Sequence, residues 1–119
     1  MLKLYSYKGC DSCRKALKWL KGREIDCEVL PIREKPPSRL ELERMLSIFD
    51  GNLKKLFNTS GKDYREMKLG DALKDMKTAD ALDLLASNGN LIKRPFLISD
   101  ERGLVGFNED VWTLFFDAV

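Results

Sequence analysis

The hydrophobic period changes twice within the first 31 residues, and this narrows the fold more than any other feature of the chain. Residues 1–7 alternate and are rich in Leu and Tyr, the pattern of a short strand. After the turn at Lys8-Gly9 the pattern turns helical from Asp11. Ala16, Leu17, Trp19 and Leu20 form an apolar stripe, and Gly22 falls where a C-terminal cap is expected. Ile25, Cys27 and Val29 then alternate with Asp26 and Glu28 in a second strand that ends at Pro31. Strand, helix and strand in so short a span predict a right-handed βαβ unit with parallel strands.

The middle of the chain is helical and the end returns to β structure. Pro36-Pro37 closes a linker, and Ser38-Arg39-Leu40-Glu41 is a capping box that opens a helix through about Phe49. Asp50-Gly51-Asn52 breaks it. Short helical pieces are expected over 53–57, 63–68 and 71–77. A clearer helix covers 78–87, with Ala79, Leu82 and Leu85 inward and Asn88-Gly89-Asn90 as its stop. Phe96-Leu97-Ile98 and Leu104-Val105-Gly106-Phe107 flank a turn and predict an antiparallel hairpin. Asn108 caps a last helix, with Glu109 and Asp110 facing its dipole and Val111, Trp112, Leu114 and Phe115 as its apolar face. The plan is βαβ, a helical block over residues 31–92, then ββα: an α/β chain with one composite domain over residues 1–119.

Composition excludes several kinds of chemistry. The 119 residues contain no histidine, which removes Ser-His-Asp, Cys-His and imidazole-metal mechanisms. Three cysteines, an odd number, argue against a secreted disulfide scaffold. No apolar run reaches the roughly 18 residues of a membrane span, and the N-terminus has no signal-peptide stretch, so a cytoplasmic protein is expected. A net charge of +2 is too balanced to suggest direct binding to nucleic acid, and a monomer is expected. The charge is nevertheless uneven. Residues 1–23 hold seven bases against the single acid Asp11, so the positive excess surrounds the paired cysteines. It reads either as a solvated helix face or as a field that favours a thiolate or draws in an anionic partner.

Cys10-Asp11-Ser12-Cys13 lies where the first strand gives way to the first helix. Unpaired N–H groups and the positive end of a helix dipole stabilise an anion there, which lowers the pKa of a thiol. Residues three apart share a helix face, so Cys13 can reach Cys10 and close a disulfide. Cys10, at or before the first turn, is the expected nucleophile, and Cys13, deeper in the helix, the resolving thiol. A zinc site would need a carboxylate or a second chain to complete its ligands, so no metal is expected. Two inert cysteines spaced this way by chance are the other alternative. Cys27 shares a predicted strand face with Ile25 and Val29 and is read as a small packing residue.

Cys10-Asp11-Ser12-Cys13-Arg14-Lys15-Ala16 after a strand, with Arg94-Pro95 just before a later one, resembles the ArsC-like superfamily of glutaredoxin-fold proteins. That group includes glutathione- or glutaredoxin-dependent arsenate reductases, Spx-type transcription regulators and YffB-like proteins. The likeness extends through the helical insertion to Gly106-Phe107-Asn108-Glu109. It implies a thioredoxin/glutaredoxin-like fold, a cis Pro95 beside the cysteines and an Arg94 that projects toward Cys10. It also implies a substrate site bordered by Arg94, Pro95, Ser12 and Asn58. Arsenate reductases of this type use one nucleophilic cysteine and two further arginines. Here Asn58 stands where one arginine is expected, residues 105–108 offer none for the other, and Cys13 is an extra thiol. Three functions follow from the resemblance. The first is a thiol-disulfide oxidoreductase with no bound cofactor, using glutathione, glutaredoxin or another thiol or disulfide as co-substrate. The second is an Spx-like redox-switched regulator that binds the C-terminal domain of the RNA polymerase α subunit. The third is arsenate reduction itself.

Overall fold

A computed structural model describes residues 2–117. Its elements run β1 (Lys3–Ser6), α1 (Asp11–Gly22), β2 (Glu28–Pro31), α2 (Arg39–Ile48), α3 (Lys62–Glu66), α4 (Leu69–Ala72), α5 (Thr78–Ser87), β3 (Phe96–Ile98), β4 (Gly103–Val105) and α6 (Glu109–Asp117). Short 3-10 turns at Leu53–Leu56 and Gly89–Leu91 complete the helical block. Four strands form one mixed sheet in the order β2-β1-β3-β4. β1 pairs parallel with β2 and antiparallel with β3, which continues antiparallel into β4.

Side chains alternate across a strand, so the sheet has two apolar faces. Leu4 and Leu97, opposite each other in the register, point to one side and pack with Ala16, Leu20 and Trp112 from α1 and α6. Tyr5, Phe96 and Ile98 point to the other side, into a cluster with Ile32, Leu42, Met45, Leu85 and Ile92 of the insertion. The insertion therefore forms the layer that covers the second face of the sheet. Two features hold it close. A Cβ on Gly103 would sit 2.7 Å from Met45 Cε, so the absence of a side chain lets α2 approach β4. Glu41, only 8% exposed, accepts from the Tyr5 hydroxyl at 2.6 Å and from the Ser38 N–H at 3.0 Å, and pairs with Lys3 at 3.4 Å. Burial pushes its carboxyl up, but these donors and the Lys3 charge reverse the shift and hold it below the usual value. One carboxylate thus completes the Ser38 capping box and joins α2 to β1.

Several boundaries and faces differ from the sequence expectation. Met1 lies outside the described residues, and β1 begins at Lys3. Gly22 ends α1 but is not its left-handed cap. Glu24 takes that conformation, at φ 58°. The Glu24 N–H bonds to Lys21 O and the Ile25 N–H to Leu20 O, with Leu20 and Ile25 in the same apolar cluster, which is a Schellman motif. Ile25 and Cys27 belong to this exit loop rather than to β2, and Val29 is 48% exposed because β2 is an edge strand. In α5 it is Ala81, not Ala79, that is buried beside Leu82 and Leu85. β4 is Gly103–Val105, ahead of the expected span. In α6 only Trp112 is fully buried. Val111 and Leu114 are exposed, and the apolar side is completed by Phe115 and Phe116.

A left-handed Glu24 is strained where glycine is not, so Glu24→Gly is expected to stabilise the protein by about 0.5–1 kcal/mol. Gly89 is the reverse case: a Cβ there would collide with the main-chain carbonyl of Ile32. Gly89→Ala should therefore cost at least ~2 kcal/mol. Urea titrations of both variants test the two signs.

Candidate redox site

The site forms where β1 ends. The chain leaves β1 at Ser6 and turns through Lys8-Gly9, where the Cys10 N–H bonds to Tyr7 O at 3.1 Å. It enters α1 with Cys10 as the N-cap in extended conformation, at φ −103° and ψ 118°. The Cys10 Sγ accepts from the Cys13 N–H at 3.3 Å. The sulfur thus takes the place that a Ser or Asp oxygen holds in an ordinary cap, and it sits at the positive end of the helix dipole. Cys10 is half-buried, whereas Cys13 is 1% exposed. Both are free thiols. Burial, reinforced by the hydrogen bond and charge of Cys10, pushes the Cys13 thiol up to about 12; a main-chain hydrogen bond from Tyr7 and the charge of Arg94 partly oppose this.

Arg94 reaches the site from the far side of the insertion, through the antiparallel register of β1 and β3. Tyr5 pairs with Phe96, so the strand ends bring residues 94 and 95 alongside 6 and 7. The Arg94-Pro95 peptide is cis, and Pro95 is buried. Its carbonyl accepts from the Gly106 N–H at 2.8 Å, and the Gly106 carbonyl accepts from Trp112 Nε1 at 3.0 Å, which links the proline through β4 to α6. The Arg94 guanidinium lies over the Tyr7 ring, 5.2 Å from its centroid, and its Nη1 is buried without a hydrogen-bond partner. Ser12 is half-buried in the first turn of α1. The Asn58 N–H donates to Leu91 O at 2.7 Å, and its side-chain amide lies against Gly61. No described hydrogen bond joins it to the cysteines. Cys27 is half-buried outside the site, its thiol pushed up by burial and then by Asp26.

Tyr7 and Arg33 escape the sequence reading. Arg33 Nη1 donates to the Tyr7 hydroxyl at 3.0 Å, with its guanidinium 4.9 Å from the ring centroid. One aromatic ring therefore carries two guanidinium groups at the mouth of the site. Only the parallel pairing of Ser6 with Pro31 brings Arg33 there.

The chain belongs to the ArsC family, which it matches over residues 5–115, and it has the thioredoxin-like α/β architecture of that family. It is 45% identical to the uncharacterized protein YusI of Bacillus subtilis over 92% of each chain. It is 34% identical to the global transcriptional regulator Spx of Streptococcus pyogenes, over 92% of this chain and 81% of Spx. Among solved structures, an ArsC family related protein from Bacteroides fragilis superposes with a TM-score of 0.88 at 36% identity, covering 94% of each chain. Among the described residues, no helix is long and apolar enough to cross a membrane, and no cluster of three or more Cys, Asp or Glu could hold a metal ion.

Because Cys10 Sγ is also the helix cap, its two conservative replacements should separate. Cys10→Ser keeps an acceptor at the N-cap and should leave the urea midpoint almost unchanged, whereas Cys10→Ala should lose about 1 kcal/mol. Peptide mapping after brief iodoacetamide treatment near pH 7 should find Cys10 alkylated well before Cys13.

Proposed function

We propose that the protein is a thiol-disulfide oxidoreductase in which Cys10 is the nucleophile and Cys13 the resolving thiol. The observation that carries this reading is the pairing at the start of α1. A half-buried sulfur accepts the Cys13 N–H at the positive end of the helix, and a second sulfur lies buried one turn behind it. The Cys10 thiolate attacks one sulfur of a substrate disulfide, forming a mixed disulfide and releasing the other sulfur as a thiol. Cys13 loses its proton and attacks Cys10 Sγ, which closes the Cys10–Cys13 disulfide and releases the second substrate thiol. The substrate gains two electrons and the protein loses two. An external thiol, glutathione or glutaredoxin, returns them. Arg94 supports negative charge on the sulfurs and offers its unpartnered Nη1 to a substrate oxygen; the family likeness assigns Pro95 and Ser12 to the same substrate site.

Similarity to Spx supports a second reading, in which the same pair switches a surface that binds the C-terminal domain of the RNA polymerase α subunit. Lys15 and Lys18, exposed on α1 and without an ion pair among the described residues, would supply part of that surface. Arsenate reduction has less support. Asn58 is turned onto Gly61 and Leu91, and Arg33 stands on Tyr7 rather than on the segments where that chemistry would place its arginines.

A Cys13→Ser variant should accumulate substrates covalently linked through Cys10, identified by mass spectrometry. Small-thiol and disulfide-substrate adducts are the expected result. A polymerase α chain recovered without a covalent link would favour the regulator instead. In the unmodified protein, closure of the Cys10–Cys13 disulfide should accelerate as pH rises from about 6 to about 9, by up to roughly tenfold per unit, because the buried Cys13 thiol is scarcely ionised there. Stopped-flow release of the second product measures it.

A further inference from the structure

Tyr7 touches both cysteines and carries two cations. Its carbonyl accepts from the Cys10 N–H at 3.1 Å, and its main chain hydrogen-bonds the Cys13 thiol. Its ring packs on the turn just before the nucleophile: a Cβ on Gly9 would sit 2.7 Å from Tyr7 Cε2 and 3.2 Å from the hydroxyl oxygen. Glycine at position 9 therefore makes room for the ring. Neighbouring Cα atoms are ~3.8 Å apart, so the phenol edge lies about one residue from the Cys10 main chain.

The two guanidinium groups keep free donors. Arg94 lies 5.2 Å from the ring centroid, and its Nη1 is buried with no partner. Arg33 lies 4.9 Å from the same centroid and donates through Nη1 to the hydroxyl at 3.0 Å. A guanidinium has five N–H donors, and the remaining ones of Arg33 make no hydrogen bond among the described residues. Neither arginine has a carboxylate within ion-pair distance among the described residues. Arg14 is different, because Asp11 neutralises it. Stacking on an aromatic face fixes a guanidinium without using its charge. Free, forked donors held beside a reacting sulfur suit a carboxylate, which accepts charge-assisted hydrogen bonds in that geometry. Reach limits the size of the ligand. Both cations rest on one ring and the ring rests on the turn at Cys10, so a few bonds span from guanidinium to sulfur.

We propose that Arg33, fixed by Tyr7, is a specificity-determining residue that acts with Arg94 to select small disulfides carrying a carboxylate a few bonds from the reacting sulfur. The inference rests on the oxidoreductase reading and adds to it a substrate class, the anionic small disulfide.

The test compares two disulfides of one shape with the reduced protein. Nitrothiobenzoate disulfide carries a carboxylate on each ring, and its dicarboxamide is neutral. The Cys10 thiolate attacks one sulfur and the first aromatic thiolate leaves. Cys13 gives up its proton, attacks Cys10 Sγ and releases the second, so the disulfide gains two electrons and the protein loses two. Stopped-flow absorbance of the first release gives each rate, which is divided by that of mercaptoethanol with the same disulfide to remove intrinsic reactivity. The acid should be preferred several-fold over the amide, and less so as sodium chloride is raised. Arg33→Gln should lower the preference about threefold, the scale of an exposed ion pair. Lys35→Gln removes the same charge from the same exposed loop and should lower it far less. Gly9→Ala displaces the ring, removes no charge and should also lower it. Equal normalised rates for acid and amide would overturn anion selection. So would an unchanged preference in Arg33→Gln or Gly9→Ala, or a loss in Lys35→Gln as large as in Arg33→Gln. Each of these leaves the oxidoreductase reading intact, because both disulfides still turn over. No release of aromatic thiolate from either disulfide would overturn both.

Discussion

The hydrogen bond from the Cys13 N–H to Cys10 Sγ ties the folding of the first helix to the chemistry of the site. Helix N-termini leave N–H groups without partners, and here a sulfur satisfies one of them. The same contact orients the sulfur along the helix dipole and fixes its distance from the thiol behind it. Everything else in this region serves that junction. β1 delivers the chain to it, Tyr7 O holds the turn through the Cys10 N–H, and Ala16 and Leu20 anchor the helix on the sheet. The chain has no histidine, so the proposed oxidoreductase relies on this electrostatic frame and on Arg94, whose charge acts on Cys13.

The insertion matters to the site although it contributes few groups to it. A four-stranded sheet with apolar residues on both faces needs two covering layers, and α1 with α6 supplies one. The insertion supplies the other and is fastened by Glu41, whose carboxylate accepts from Tyr5 and Ser38 and pairs with Lys3. Tyr5 lies two residues before Tyr7, and β3, which carries Arg94 and Pro95 at its entrance, pairs directly with β1. Packing of the insertion on Tyr5, Phe96 and Ile98 therefore fixes the two strands whose ends meet at the cysteines.

Much of this was legible from local pattern. The α5 helix runs over Thr78–Ser87 as its periodicity indicates, the Ser38 and Asn108 caps form, and the cysteine pair falls at the strand-to-helix junction. The misses share a cause: solvent exposure and exit geometry depend on neighbours distant in sequence. Val29 fits an apolar strand pattern but lies on an edge, with no further strand beside it. Leu114 fits a helical stripe but points to solvent, because the α1 aromatic Trp19 selects Trp112 and Phe116 as its contacts. Gly22 ends α1 as its position suggests, yet the contact between Leu20 and Ile25 places the left-handed conformation two residues later, on Glu24. Tyr7 and Arg33 gave no local signal, since their meeting depends on parallel pairing across α1.

The sequence by itself determined the order of elements, the βαβ and ββα halves, the exclusion of imidazole chemistry and the place of the cysteine pair at the strand-to-helix junction. These follow from side-chain periodicity, capping residues and the absence of histidine, all of which act over a few residues or need no geometry. Only the tertiary structure decided that the Pro95 carbonyl is tied to α6 through Gly106 and Trp112, and that the Asn58 side chain lies against Gly61. It alone placed Arg94 and Arg33 on one tyrosine ring. Those features depend on which strands pair and which face each layer covers, and long-range packing sets both.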